Sequence, residues 1–484
     1  MDRSLPQPRF TVASEKELQQ IHEAAVRVLE ETGGRIMTEE ARQLLLDHGG
    51  TLEGEDLIKI PGRLVEDALA SVPGPFWLYD RNGEPSINLN GERTYVGTGV
   101  TNLNYLDPRD GKVKDFTLEA FAETAKLTDY LSDIDFIATP GVVRQSDELP
   151  IEIVNQWEFC NMTANTTKPV MVLIAGQPEL ADIYDMAELI AGGADALREK
   201  PFVIPYLNSV SPLLFNLETL EKLFESADRG LPVCAQAAPQ VGATGPATIA
   251  GTCVISAAET LLMLVLQQLR KPGTPFLTGT VPFLMDMRNG SVTAGGPDGL
   301  RFMVLMSQLS HWWGLPGLGM TFGGDSKDAD EQAAMEVAFY GLGTVLAGVD
   351  MIFDAGCVEG GLLFSPELLV ISDEVAGMSR RTLEPVEITD DALGVDVIKA
   401  VGPGNIFLGE EHTLMRFRDL WIPKMLSWEG RREWEEAGSK TMRTRCREKV
   451  FEVWETHQPQ PLPDDVLDGM RAIIQERRAS IPAE

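Results

Sequence analysis

The sequence predicts an α/β chain closed as a TIM (β/α)8 barrel, carrying an N-terminal helical and β-rich extension and a C-terminal helical arm. Three observations lead there. From Thr117 onward short apolar segments alternate with helical ones, the order that calls for a parallel sheet. Eight candidate strands can be counted, enough to close a barrel. No G-x-G-x-x-G opens a first strand, since Gly97 and Gly99 are followed by Asn102, which disfavours an open doubly wound sheet. At 484 residues the chain has room for one large core with attachments. The expected divisions are an extension over 1–116, the barrel over 117–430 and the helical arm over 431–484.

The elements follow in order. From Glu15 to His48 the apolar residues Leu18, Ile21, Ala25, Val28 and Leu29 recur at helical spacing, and a second helix runs from Glu39 to Gly49-Gly50. Between Thr51 and Val113 short strands and turns take over, with Asn82-Gly83 as a hairpin signal and Asp107 to Gly111 as a second turn. Thr117 caps the next helix. The barrel strands are predicted at Phe136–Thr139, Val170–Ile174, Phe202–Leu207, Pro232–Ala237, Pro275–Gly279, Gly317–Met320, Met351–Asp354 and Asn405–Leu408. The arm is helical and broken at Pro459 to Pro463, and is expected to pack on the barrel or on another subunit.

Composition excludes several functions. A formal charge of −32 repels phosphate backbones and anionic membranes, so nucleic acid and membrane surfaces are not expected partners. No apolar run of about 18 residues is expected to cross a bilayer. The N-terminus lacks the apolar stretch of a secretory signal, so a cytoplasmic location is expected. Cys160, Cys234, Cys253, Cys357 and Cys446 are scattered without C-x-x-C spacing and are expected buried and reduced; no metal site is predicted. G-x-S-x-G, H-E-x-x-H and P-loop patterns are absent too.

In a barrel the chemistry lies just after the strands, which points to Asn208, Ser209, Gln236, Thr278 to Thr280, Thr321 to Lys327, Asp354 and His412, with Tyr206, Phe283, Phe322, Phe353 and Phe407 nearby. The segment Gly317 to Gln332 reads as a strand breaking through Gly323-Gly324 into a loop, which Asp325 or Ser326 caps before the next helix. By itself it fits an ordinary capped loop as well as a functional one. His22, His48 and His457 are expected at the surface and His311 in packing. His412, placed directly after a strand, is the exception.

That segment has company. Pro239 to Thr248 followed by Glu259, Gly409 to Arg418, and the N-terminal run Ile21 to Gly33 occur in order around it. Together they resemble the trimethylamine methyltransferase superfamily of corrinoid-dependent enzymes over most of the chain. The resemblance implies methyl transfer from an amine to the Co(I) state of a corrinoid (cobalamin) presented by a separate corrinoid protein, with none tightly bound here; no D-x-H-x-x-G corrinoid signature occurs in the chain. It also implies pyrrolysine near Gly323 to Lys327 in the trimethylamine enzymes, whereas this chain has only standard residues there. The departure points to the branch acting on quaternary amines such as glycine betaine, whose positive nitrogen already makes a tertiary amine a tolerable leaving group. Proline betaine, carnitine and γ-butyrobetaine are alternative donors, and a non-catalytic betaine-binding barrel is a rival reading.

A trimethylammonium head donates no N–H bonds, so aromatic faces and negative potential must hold it. Candidates for the aromatic cage are Tyr95, Tyr206, Phe283, Phe322, Phe353 and Phe407, and Gln236 is a further substrate contact. Asp325 or Glu259 can add negative field. His412, Lys327 or Arg416 can answer a donor carboxylate. On the corrinoid side the candidates are His412, Gly323 and Gly324. A homo-oligomer is expected for a barrel with added arms.

Overall fold

The computed structural model of the chain describes residues 9–146, 148–281, 283–294, 296–320 and 323–481. Eight parallel strands form its centre: β1 (Tyr95–Thr98), β2 (Ile137–Ala138), β3 (Val170–Val172), β4 (Val203–Asn208), β5 (Val233–Ala237), β6 (Phe276–Thr280), β7 (Gly317–Met320) and β8 (Met351–Ala355). Each is followed by a helix of the outer ring. These are α1 (Leu118–Tyr130), α2 (Ile151–Asn165), α3 (Gln177–Ala191), α4 (Leu217–Arg229), α5 (Ile249–Arg270), α6 (Gly296–Trp312), α7 (Glu331–Ala347) and α8 (Pro366–Leu383). The sheet closes where β1 pairs with β8 on one side and through the parallel bridge Gly97–Phe136, just ahead of β2, on the other. This is the expected barrel.

One strand is displaced from the sequence reading. The first barrel strand is Tyr95–Thr98, inside the stretch assigned to the β-rich extension, and Asn405–Leu408 is not a strand at all. A barrel strand must bury both faces. Tyr-Val-Gly-Thr does so completely, whereas Ile406 and Leu408 stand 75% and 82% exposed. The other seven strands lie where their apolar runs placed them, within one or two residues at the ends.

Alternation along the strands divides two cores. Inward residues, including Phe136, Met171, Ile204, Tyr206, Cys234, Leu277, Leu318, Met351 and Phe353, fill the lumen in layers. Leu78, Ile87 and Leu89 join that cluster from the hairpin Trp77–Tyr79/Pro85–Asn88, which plugs the end where the strands begin. Gly83 turns that hairpin with φ +79°, as Asn82-Gly83 predicted. Outward residues pack beneath the helices in a second, larger core.

The helix Glu15–Glu31 starts in a capping box, with Glu17 accepting from the Ser14 amide and hydroxyl at 2.8 and 2.6 Å, and buries Leu18, Ile21, Ala25 and Leu29 against the barrel's outer layer. Its main neighbour is α5. Contrary to the sequence reading, α5 is long and apolar enough to cross a membrane, with mean hydropathy 2.0 over its most apolar stretch, yet 72% of that stretch is buried inside the fold. It is apolar because helices and strands surround it. His22 also departs from expectation: it is buried, bonded to Glu66 at 2.9 Å and accepting from Trp313 at 3.2 Å. After residue 430 the helices Met442–Thr456 and Asp464–Ser480 return to pack on α8 and α1 and on α2 and α3 respectively.

Candidate active site

The strands end in a cavity of about 620 Å³ at the β1–β4 side of the barrel mouth. Its walls are Thr101, Thr139 and Leu173 from the loops after β1, β2 and β3, Tyr206 and Asn208 of β4, Asn155 and Glu158 of α2, and Lys222 of α4. Tyr206 points into the lumen and meets Phe353 of β8 edge to face, ring centres 5.7 Å apart at 87°. Two aromatic faces thus floor the mouth.

Beside them the polar groups are incompletely satisfied. Asn208 and Gln236 are register partners on β4 and β5, so their side chains stand side by side on the lumen face. Gln236 is fully buried, and neither its amide oxygen nor its nitrogen has a partner; the Asn208 amide oxygen is likewise alone. Buried polar atoms are almost always paired, and each orphan costs about 1–3 kcal/mol. A site that holds several at a strand C-terminus is built to receive a polar ligand or water. Gly279 on β6 makes the room, because a Cβ there would sit 2.4 Å from Gln236 Cγ.

Asp354 closes the arrangement. It is the penultimate residue of β8, with φ +81°, a left-handed backbone that costs a non-glycine residue some strain. Burial pushes its carboxyl up to about 7, opposed by hydrogen bonds from the Cys357 thiol and the Val100 amide. It lies near enough to Tyr206 to raise that phenol, after the larger effect of burial. On the cavity wall, burial lowers the Lys222 ammonium to about 8 while it donates to the Ile174 carbonyl at 2.6 Å. Burial also raises Glu158 to about 7, against bonds from Asn155 and the Val143 amide. The cavity wall therefore carries both an ammonium, Lys222, and a carboxyl, Glu158, and Tyr206 links it to Phe353 and Asp354 in the lumen.

The structure brings together Tyr206, Phe353 and Gln236, and Phe283 packs partly buried against the same lumen cluster. Phe322 lies outside the described residues. Tyr95 sits at the opposite end, at the start of β1, where its hydroxyl accepts from the Asn88 amide at 3.1 Å in the hairpin plug. Glu259 is buried on α5 and accepts from Ser209, Ser211 and the Leu213 amide at 2.6–2.7 Å, so its carboxylate anchors the loop after β4. Asp325 accepts from the Thr293 hydroxyl and the Ala294 amide, tying two mouth loops together. Gly323 and Gly324 are closely packed: a Cβ on Gly323 would lie 3.0 Å from Cys357 Cβ, and one on Gly324 would lie 2.0 Å from Glu336 Oε2, whose side chain would have to move.

Lys327, His412 and Phe407 do not reach the mouth. Lys327 is exposed and folds back onto the Asp325 carbonyl. His412, Phe407 and Arg416 belong to the surface excursion after α8, where His412 bonds the Asp391 carbonyl at 3.0 Å and Arg416 pairs with Glu387, Asp391 and Asp419. The expected position of His412 depended on a strand at 405–408 that does not form. All five cysteines are free and buried, as expected. Asn208 and Asp354 carry more of the site than the sequence reading gave them. Their signal was position alone, each being the first polar residue after an apolar strand.

A parallel barrel with unsatisfied amides over an aromatic pair at its C-terminal mouth has the architecture of a small-molecule enzyme. Residues 3–482 match the family model Trimethylamine methyltransferase (MTTB), and the chain belongs to that family of methyltransferases. It is similar to the trimethylamine methyltransferase of Desulfitobacterium hafniense (strain DSM 10664 / DCB-2), 31% identical over 464 residues covering 96% of this chain and 93% of the relative. A glycine betaine methyltransferase of D. hafniense (strain Y51) is 27% identical over 479 residues, 99% of both chains. Among solved structures, the monomethylamine methyltransferase of Methanosarcina barkeri aligns with TM-score 0.52 at 11% identity, over 97% of this chain and 89% of that one, a likeness of fold.

Proposed function

We propose that this methyltransferase takes its methyl group from a quaternary amine, with glycine betaine the favoured donor, and passes it to the Co(I) corrinoid of a separate corrinoid protein. The observation that carries the reading is the fully buried, unpartnered Gln236 amide beside the Tyr206–Phe353 pair. A trimethylammonium head offers no hydrogen bond, and each desolvated aromatic face contributes about 0.5–2 kcal/mol to holding it. Asp354, when ionised, supplies negative potential at that end. A donor carboxylate needs N–H donors, and Gln236 Nε2 and the Lys222 ammonium supply them in place of His412, Lys327 and Arg416. The signs suit a zwitterion.

The corrinoid, when presented at the mouth, supplies the nucleophile that accepts the methyl group. The chain's own residues fix the donor so that one N–methyl bond points out of the barrel. All 484 residues are standard amino acids, so the donor must arrive already activated by its own positive charge. The large cavity keeps a longer donor such as carnitine, γ-butyrobetaine or proline betaine as the second reading.

The test is anaerobic: the protein, glycine betaine and a Co(I)-reduced corrinoid protein are mixed and the Co(I) absorbance followed. Loss of that signal with stoichiometric dimethylglycine supports donor and reaction together. Turnover only with another quaternary amine corrects the donor, and silence with every methylated amine refutes the reading.

A further inference from the structure

After α8 the chain leaves the barrel and returns to it at Lys424 and Met425. Between Val386 and Trp428 fourteen large apolar side chains stand exposed, among them Ile406, Leu408, Leu414, Met415, Leu420 and Trp428, each about two-thirds exposed or more. The segment is not unstructured. Its polar groups are satisfied internally by the His412–Asp391 and Arg416–Asp391 contacts, and its base is fixed where Lys424 meets Asp133 and Asp373 at 2.6 and 2.8 Å. Fourteen exposed apolar side chains on a segment pinned at its base are more than a solvated loop carries.

A second bare apolar surface lies next to it. On α7 the residues Met335, Phe339 and Leu342 recur at helical spacing along the outer side, all exposed, and the end of that helix borders the excursion at the cleft shared by Val345, Gly348, Leu420 and Trp421.

We propose that residues 386–428 form a dimerisation arm, packed against a second copy of this chain and laid over that copy's arm and the outer stripe of its α7. Fourteen such side chains offer on the order of 1,000 Å² per subunit, above the few hundred Å² that a monomer tolerates and in the range of a stable interface. Placement argues for a second copy over a protein that serves the active site. The arm is rooted at the C-terminus of α8, beside Glu92 to Thr94 and Asp133, which precede β1 and β2. That is the end of the barrel opposite the mouth, where a methyl acceptor must be delivered. An arm and a stripe both uncovered on one molecule are self-complementary about a two-fold axis.

Sedimentation velocity of the full chain at micromolar concentration tests this. The expected mass is an even multiple of the 53.0 kDa chain. It should fall by half or more in Leu408→Asp/Leu414→Asp and again in Met335→Asp/Phe339→Asp, with far-UV circular dichroism unchanged. Hydrogen exchange on the wild type gives a readout free of substitutions: amides of 405–420 should lose protection on dilution. A wild type of 53.0 kDa overturns the proposal. So does an assembly whose mass neither pair of substitutions moves, or arm amides whose protection is independent of concentration.

Discussion

Asp354 makes the sharpest demand on the site, because its carboxyl is buried and held near pH 7 while an aspartate in the unfolded chain titrates near 4. Its folded value is raised, so the stability it lends is fully present below about pH 4 and is lost as pH rises through 7. Asp354→Asn keeps the acceptor for Val100 and suits a left-handed backbone. Its Tm should exceed that of the wild type at pH 8 and approach it at pH 5, measured by calorimetry. Gln236 behaves differently. Gln236→Ala removes two orphaned atoms, so stability should hold or rise by about 1 kcal/mol while the KM for the donor increases about tenfold or more. Glu259→Ala should cost about 2–4 kcal/mol in chemical denaturation, because three donors lose their acceptor. A chemical role would instead appear as lost kcat at unchanged stability in Glu259→Gln.

At the scale of elements, the strand β6 contributes by an absence. Gly279→Ala should displace the Gln236 side chain and weaken donor binding about tenfold while the barrel stays folded, as read by circular dichroism and by KM. His412→Ala, on the surface excursion, should leave methyl-transfer kcat within about twofold, since its ring bonds the Asp391 carbonyl and does not line the mouth. Seven strands were legible because each is a short apolar run bracketed by turn residues and followed by helical periodicity. Tyr95–Thr98 was missed because its glycine and threonine resemble a surface hairpin, and Asn405–Leu408 was over-read because apolarity alone does not say what covers it. The mouth was partly legible. Tyr206, Phe353 and Gln236 sit at strand ends and could be placed by counting, whereas the roles of Glu259, Gly323 and Gly324 depend on partners tens of residues away that no local pattern reveals.

At the scale of the whole molecule, the barrel, its plugged lower end and its polar, aromatic mouth make a single directional device, with one end closed by the hairpin and the other open. The N-terminal helix and the C-terminal helices brace the ring from outside, and the match to the trimethylamine methyltransferase family, residues 3–482, includes them. The donor's binding should depend on the ionised form of Asp354, so it should weaken as pH falls below about 7. The most direct test of the account is a calorimetric titration of glycine betaine into the protein alone, wild type and Asp354→Asn, at pH 6 and pH 8. Expected are measurable binding by the wild type, weaker binding by the variant at pH 8, and a gap between the two affinities that narrows at pH 6, because Lys222 and Glu158 titrate alike in both proteins. Equal affinity of the two proteins at both pH values, or no binding of any quaternary amine, would contradict it.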